Sequence, residues 1–268
     1  MSYGFAELAF SFGLTLFAGM ATAIGSCIAF FFKRTNTRFL AFALGLSGGV
    51  MIYISLVELL ADARLRLAEL YGERAGGLAA TAAFFGGIAL ALLIDKLVPS
   101  EENPHEVHRL EEMENNSDHS RRLLRSGTLF ALALAIHNFP EGMAVFISSL
   151  DNPATGVSIA VAIAIHNIPE GITVSVPIYH ATGRRGKAFL WSALSGMAEP
   201  LGAAIAWAVL APFLSATLLS AVFALAAGIM VFITFDELLP LAETCGEHHL
   251  AIGGIVSGML IMALSLIS

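Results

Sequence analysis

Five stretches of this chain, residues 8–32, 39–57, 75–94, 200–235 and 250–268, contain no Asp, Glu, Lys or Arg. A helix needs roughly 20 mostly apolar residues to cross a hydrocarbon layer about 30 Å thick, so each stretch has room for a crossing. The longest, 200–235, holds most of one crossing and the start of the next, with a turn near Pro212 in "LAPFLSA". Composition points the same way. The chain is 57% hydrophobic and 13% charged, with a mean hydropathy of +0.78, whereas soluble domains carry about 25% charged residues. Strand-like alternation is weak and the apolar segments are too long for barrel strands, which leaves helices as the spanning element.

Adding the apolar segments that carry two repeated polar phrases gives an all-α, polytopic membrane protein with eight transmembrane helices in a single membrane domain. The spans are expected at about 5–32, 38–61, 76–98, 123–150, 154–181, 188–211, 215–240 and 249–267. The start, "MSYGFAELAF", has no basic segment or small-residue cleavage site and reads as the first span, not a signal peptide. With eight spans, Lys33, Arg34, Arg38, Lys96, Arg109, Arg121, Arg122, Arg125, Arg184, Arg185 and Lys187 fall on one side, and only Arg64, Arg66 and Arg74 on the other. The positive-inside rule then places both termini on the periplasmic or extracellular side of a cell inner membrane. It places the acidic, histidine-containing loop 99–122 (His105, His108, His119) in the cytoplasm. That loop reads either as a solvated linker or as a weak metal-collecting or regulatory segment. Cys27 and Cys245 are too few for a disulfide framework or a cysteine-built metal site. The net charge of −7 comes largely from this loop and gives no reason to expect nucleic acid as a partner.

Inside this apolar frame one phrase occurs twice, 29 residues apart: "IHNFPEGMAV" at 136–145 and "IHNIPEGITV" at 165–174. His137, His166 and a third acidic position, Glu199, lie about 11 to 14 residues into their spans. At a 1.5 Å rise that is roughly 16–21 Å deep, near the middle of the hydrocarbon layer. Glu141, Glu170 and Glu199 therefore converge on one depth, where ionisable groups mark ion pathways by default. Within each phrase the His and Glu are four apart and the Asn and Glu three apart, so all three project from one helical face. Imidazole, amide and carboxylate together form a mixed N/O donor set that suits Zn²⁺, Fe²⁺, Mn²⁺ or Co²⁺ and lacks the thiolates favoured by Cu(I).

A lone buried His is more often an interhelical hydrogen-bonder than a ligand, and a lone Glu beside Pro can merely stabilise a kink. Two copies of His-Asn-x-Pro-Glu-Gly plus a third glutamate, with no Lys or Arg at that level, call for a cation or protons from outside, and the donor set favours a metal. Pro140, Pro169 and Pro200 each adjoin one of the glutamates. Each removes a backbone N–H and frees the carbonyl four residues earlier, at Ile136, Ile165 and Gly196. Gly142, Gly171, Gly196 and Gly202 permit close helix approach.

At these residues the chain resembles the ZIP (Zrt/Irt-like) metal transporters. "HNFPEG" at 137–142 and "HNIPEG" at 166–171 are similar to the family's fourth- and fifth-helix signatures, and "SGMAEPLG" at 195–202 to its sixth. "LGLSGGVMIYISLVELL" in span two and "FDELLP" in span seven resemble the bacterial ZupT-type branch. The resemblance implies a ZIP-type bundle, a binuclear metal site on spans four, five and six, and alternating access in which one helix bundle slides against the other. By motif, it implies that His137, His166, Glu141 and Glu170 bind a zinc-like ion. Asn138, Asn167 and Glu199 would bind a second ion bridged by Glu141 and Glu170.

The expected function is uptake of divalent cations across the inner membrane, zinc and also iron, manganese or cobalt, as transported substrates and not as cofactors. A proton-coupled exporter is the alternative. An intramembrane metalloenzyme is a third reading, against which stands the lack of an H-E-x-x-H sequence. The expected partners are divalent metal ions and the lipid bilayer, with a homodimer left open. Several further residues have two readings each. Met51 is a thioether donor or packing. Glu58 and Asp62 are a vestibule for incoming ions or snorkelling end charges. Asp236 and Glu237, with "ETCGEHH" at 243–249, are an exit path or a plain acidic loop.

Overall fold

The computed structural model describes residues 3–30, 37–97, 117–210, 213 and 215–265, and among them there are helices but no strands. The helices are α1 (Phe5–Ala29), α2 (Thr37–Tyr53), α3 (Leu60–Tyr71), α4 (Glu73–Leu97), α5 (Ser117–Asp151), α6 (Pro153–Thr182), α7 (Arg185–Gly196), α8 (Ala198–Leu210), α9 (Ala216–Ile233), α10 (Leu239–Thr244) and α11 (His248–Ser265). Two of the joins are π-helical turns, Ile54–Leu59 between α2 and α3 and Thr234–Leu238 between α9 and α10. Those rods are therefore continuous from Thr37 to Tyr71 and from Ala216 to Thr244. Among the described residues, six rods are long and apolar enough to cross a membrane. Two further rods, α5 and the α7–α8 pair, run beside them. The chain is an all-α, multi-pass membrane protein.

Local chemistry explains most of the boundaries. The Asn152 side chain accepts from the N–H groups of Ala154 (3.0 Å) and Thr155 (3.4 Å), with Pro153 following, so α6 starts one residue after α5 ends. Gly72 and Gly183 close α3 and α6 at positive φ, 82° and 64°. Ser215 caps α9 through the Leu218 N–H at 3.2 Å. The second rod runs ten residues beyond the expected limit of 61, because α3 is amphipathic and buries Ala63 and Leu67 while Arg64 and Glu69 face outward. α5 begins at Ser117, inside the stretch 99–122 expected as a loop; residues 99–116 of that stretch, with His105 and His108, lie outside the described residues. Pro212, expected at the turn between α8 and α9, also lies outside them.

The surface is apolar. Ile24, Phe85, Leu190, Leu260 and many other large side chains point outward, whereas Ser11, Thr15, Ser26, Ser47 and Ser220 are buried. Small residues line the contacts, as expected where lipid competes for the large ones.

The helices sort into two bundles. In the first, α1, α5, α6 and the α7–α8 rod pack on one another; in the second, α2, α3, α4, α9, α10 and α11 do so. Gly142 lies so near α8 that a Cβ would overlap the Glu199 carbonyl oxygen, and one at Gly202 would overlap that of Phe139. Gly171 abuts Thr22, and Gly19 and Gly196 abut each other. The second bundle repeats the device: Gly45 and Gly49 of α2 interlock with Gly254 and Gly258 of α11, and Gly87 with Gly228 joins α4 to α9. Among the described residues, every glycine that touches a neighbouring helix backbone does so within its own bundle. Between the bundles lies an apolar cavity of about 520 Å³, lined by α4 and α9 on one side (Leu90, Val222, Ile229) and by α5 and α8 on the other (Phe139, Met143, Leu201).

Gly142→Ala is expected to lower stability by about 1–3 kcal/mol or more, because the methyl has to displace backbone. Gly253→Ala, where a Cβ meets open space, is expected to leave stability unchanged or slightly raised. Thermal unfolding of the detergent-purified variants measures both.

Candidate metal centre

The prolines do not act alike. α5 and α6 run unbroken through Pro140 and Pro169, but the sixth rod is interrupted at Met197, between Gly196 and Ala198. There the freed carbonyl belongs to a glycine, itself about 1 kcal/mol less helix-favouring than alanine, and the Gly196 oxygen turns toward Gly19 on α1. α8 consequently starts with Glu199 in its first turn, where a carboxylate is favoured by the exposed N–H groups.

Six candidate side chains are buried: Asn138 and Glu141 on α5, His166, Asn167 and Glu170 on α6, and Glu199 on α8. His137 lies on α5 one residue before Asn138, but its side chain is outside the described residues. His166 Nε2 stands 2.8 Å from Glu170 Oε1 and 3.5 Å from Glu141 Oε1, so the two repeated phrases meet at this ring. Asn167 Nδ2 donates to Glu199 Oε1 and, at 2.9 Å, to the Ala18 carbonyl on α1. Asn138 Nδ2 donates to the Ser195 carbonyl at 3.2 Å. With both amide nitrogens engaged on backbone, the amide oxygens Asn138 Oδ1 and Asn167 Oδ1 are left buried without a hydrogen-bond partner, as is Glu199 Oε2. Among the described residues no three His, Cys, Asp or Glu side chains stand as a closed metal-ligand group; His166 contacts both Glu141 and Glu170.

One participant escapes sequence reasoning. Ser47 Oγ on α2 hydrogen-bonds His166 Nδ1 and lies 3.4 Å from the His166 carbonyl oxygen. One assignment of hydrogens uses the hydroxyl fully: Nδ1–H donates to Oγ, and Oγ donates to the carbonyl. Nε2 then directs a lone pair at two carboxylates, an arrangement that a cation stabilises. A single serine among small residues in an uncharged span gives no signal that could have found it.

The secondary candidates scatter. Met51 is fully buried one turn beyond Ser47. Asp236 (exposed) and Glu237 (half-buried) sit in the π-helical turn Thr234–Leu238, not in a loop. The stretch 243–249 does turn, between α10 and α11.

With this geometry in hand, the comparisons are decisive. The family profile described as "ZIP Zinc transporter" matches residues 95–266. The chain belongs to the ZIP family. Its relatives include proteins named zinc transporter ZupT from Akkermansia muciniphila (61% identical, 96% of each chain covered), Nitratidesulfovibrio vulgaris (57%, 96% of each) and Streptococcus mutans (54%, 96% of each). The ZIP family is one of transporters rather than enzymes, which removes the metalloenzyme reading, and both the family profile and these relatives are named for zinc transport.

Ser47→Ala strips a buried imidazole nitrogen of its partner, a loss of about 1–3 kcal/mol. The unfolding midpoint is expected to fall by a few degrees. Ser257→Ala, which removes only an exposed bond to Gly253 within α11, should leave it unchanged.

Proposed function

We propose that this protein takes up divalent cations across the cell inner membrane, zinc and also iron, manganese or cobalt, through a binuclear site between α5, α6 and α8. The observation that carries the reading is the burial of three carboxylates and two amide oxygens in one layer of the bundle, where the sequence supplies no Lys or Arg. An ionised carboxylate out of water costs several kcal/mol unless matched, and a divalent ion is the match that its partners can also coordinate. In this reading His137, His166, Glu141 and Glu170 hold the zinc-like ion. Asn138, Asn167 and Glu199 hold the second, with Glu141 and Glu170 as bridges.

All eight rods cross the membrane, α5 and α7–α8 included, with both termini periplasmic and the stretch between α4 and α5 cytoplasmic. The alternating run of the helices and the bias of basic residues support this. Transport proceeds by alternating access, the bundle that carries the site moving against the other. The glycine contacts support that division: backbone locks backbone inside each bundle, whereas side chains and an apolar cavity separate the two. Export by proton antiport remains the competing direction, and a fall in cytosolic metal on expression would establish it.

In liposomes, the wild type is expected to admit Zn²⁺ and Fe²⁺. Glu170→Ala should lose at least 90% of that flux while keeping its elution profile and unfolding midpoint near wild type. Flux unchanged in Glu170→Ala would place the pathway elsewhere. Asn138→Asp is expected to alter the preference among metals before it slows zinc, since it changes a ligand of the second ion; a loss confined to zinc would contradict this division of ligands.

A further inference from the structure

Glu58 and Asp62 sit in surroundings that their sequence does not announce. Arg66 Nε donates to Asp62 Oδ1 at 2.9 Å and lies 2.7 Å from Oδ2. Its Nη2 lies 2.6 Å from Asp151 Oδ2. Asp62 and Arg66 belong to α3, in the second bundle, and Asp151 ends α5, in the first. One guanidinium therefore ties the two bundles together at the end where Tyr71 hydrogen-bonds Thr217.

Against this tie lies a cavity of about 30 Å³, lined among others by Glu58, Asp62, Arg66, Ser148, Asp151 and Thr155. A space of that size holds a water or a single ion. Three carboxylates against one guanidinium leave it a site for positive charge. Ser148, 2% exposed, contributes an Oγ with no hydrogen-bond partner, an oxygen that a hard cation could take up.

The pocket also lies in line with the central site. Ser148 is seven residues, two turns, from Glu141 on one face of α5, and Thr155 is eleven residues, three turns, from His166 on one face of α6. On the opposing rod, Ser55, whose buried Oγ also has no partner, lies between Glu58 and Ser47.

We propose that this pocket is a receiving subsite for a divalent cation and that Arg66 is its gate. The guanidinium holds Asp62 and Asp151, and with them the two bundles, until an arriving cation displaces it from the carboxylates. The inference rests on the transport reading above, but its binding step is separable from transport.

The test uses the full chain, purified in detergent, with Glu141→Gln and Glu170→Gln disabling the central site. Mn²⁺, which favours oxygen ligands, is the probe, and equilibrium dialysis is the measurement. Adding Arg66→Gln is expected to tighten binding of one Mn²⁺ at least tenfold, and adding Asp62→Asn or Asp151→Asn to that variant to abolish the gain. Arg66→Lys, which keeps a positive charge but not the double bridge, should fall between and guards against a misfolded glutamine variant. Equal Mn²⁺ binding with and without Arg66, or binding indifferent to Asp62 and Asp151, overturns the proposal. With the central site intact, Arg66→Gln is expected to lower the Mn²⁺ concentration for half-maximal uptake into liposomes at least threefold. A wild type that moves no metal sinks the transport reading and leaves the dialysis result standing. A transporting wild type with unchanged dialysis sinks the gate alone.

Discussion

A carboxylate that is surrounded by hydrocarbon must find positive charge or surrender its own, and this fold gathers three of them at one depth. The usual internal remedy is absent, since the sequence has no Lys or Arg near Glu141, Glu170 or Glu199. What stands around them is a set of groups with oxygen or nitrogen lone pairs to offer: His166, and the amide oxygens of Asn138 and Asn167, whose nitrogens are already committed to backbone carbonyls. Backbone carbonyls hold the two amides in place, Asn167 also donates to Glu199, and the His166 ring faces Glu141 and Glu170. Such a centre is stable only when a cation or protons enter it, so its electrostatics and its proposed work as a carrier are one property.

Holding that centre together requires rigidity, and the glycines provide it locally. Gly142 against Glu199, Gly171 against Thr22 and Gly196 against Gly19 bring α1, α5, α6 and α8 into backbone contact around the buried residues. The second bundle is stiffened by its own interlocking pairs. Neither set reaches across. The interface between bundles is instead crossed by the 520 Å³ apolar gap and by polar contacts at two levels, Ser47 on His166 and Arg66 on Asp151. Each body keeps its own backbone-to-backbone packing, whose loss would be expensive, while side-chain packing of α2 on α6 and these hydrogen bonds join the two.

Much of this was legible in the sequence because it rests on short-range rules. Uncharged runs gave the rods, and the three- and four-residue spacings of "HNFPEG" and "HNIPEG" put each phrase on one helical face. The four glycines singled out for close approach all make it. What escaped depends on partners distant in sequence. Ser47 is one small residue in "LGLSGGV", and its importance exists only because α2 crosses α6 at His166. Asp151 reads as a helix-ending acid until Arg66 is found beside it. Equivalent prolines after Ile136, Ile165 and Gly196 look alike on paper, yet only the glycine position breaks its helix. The second rod's continuation to Tyr71 was hidden because its four charges, Asp62, Arg64, Arg66 and Glu69, resemble the beginning of a loop.

The doubling of the phrase suggests a symmetric site, but the environments of the two copies differ. Among the described residues Asn138, on α5, bonds to the Ser195 carbonyl, whereas Asn167, on α6, binds both the Ala18 carbonyl and Glu199. His166 is fully buried, fixed by Ser47 on one nitrogen and facing Glu170 and Glu141 with the other. The α6 copy thus touches α1, α2, α5 and α8 at once, and its histidine meets the opposing bundle through Ser47. Displacing the first bundle along the second would have to break the Ser47 contact and release the His166 ring from its fixed orientation. The Ser47 hydrogen bond therefore links the bundle interface to one of the proposed zinc ligands. Like sequences thus stand in unequal surroundings, with Asn138 held inside its own bundle and His166 hydrogen-bonded across the interface.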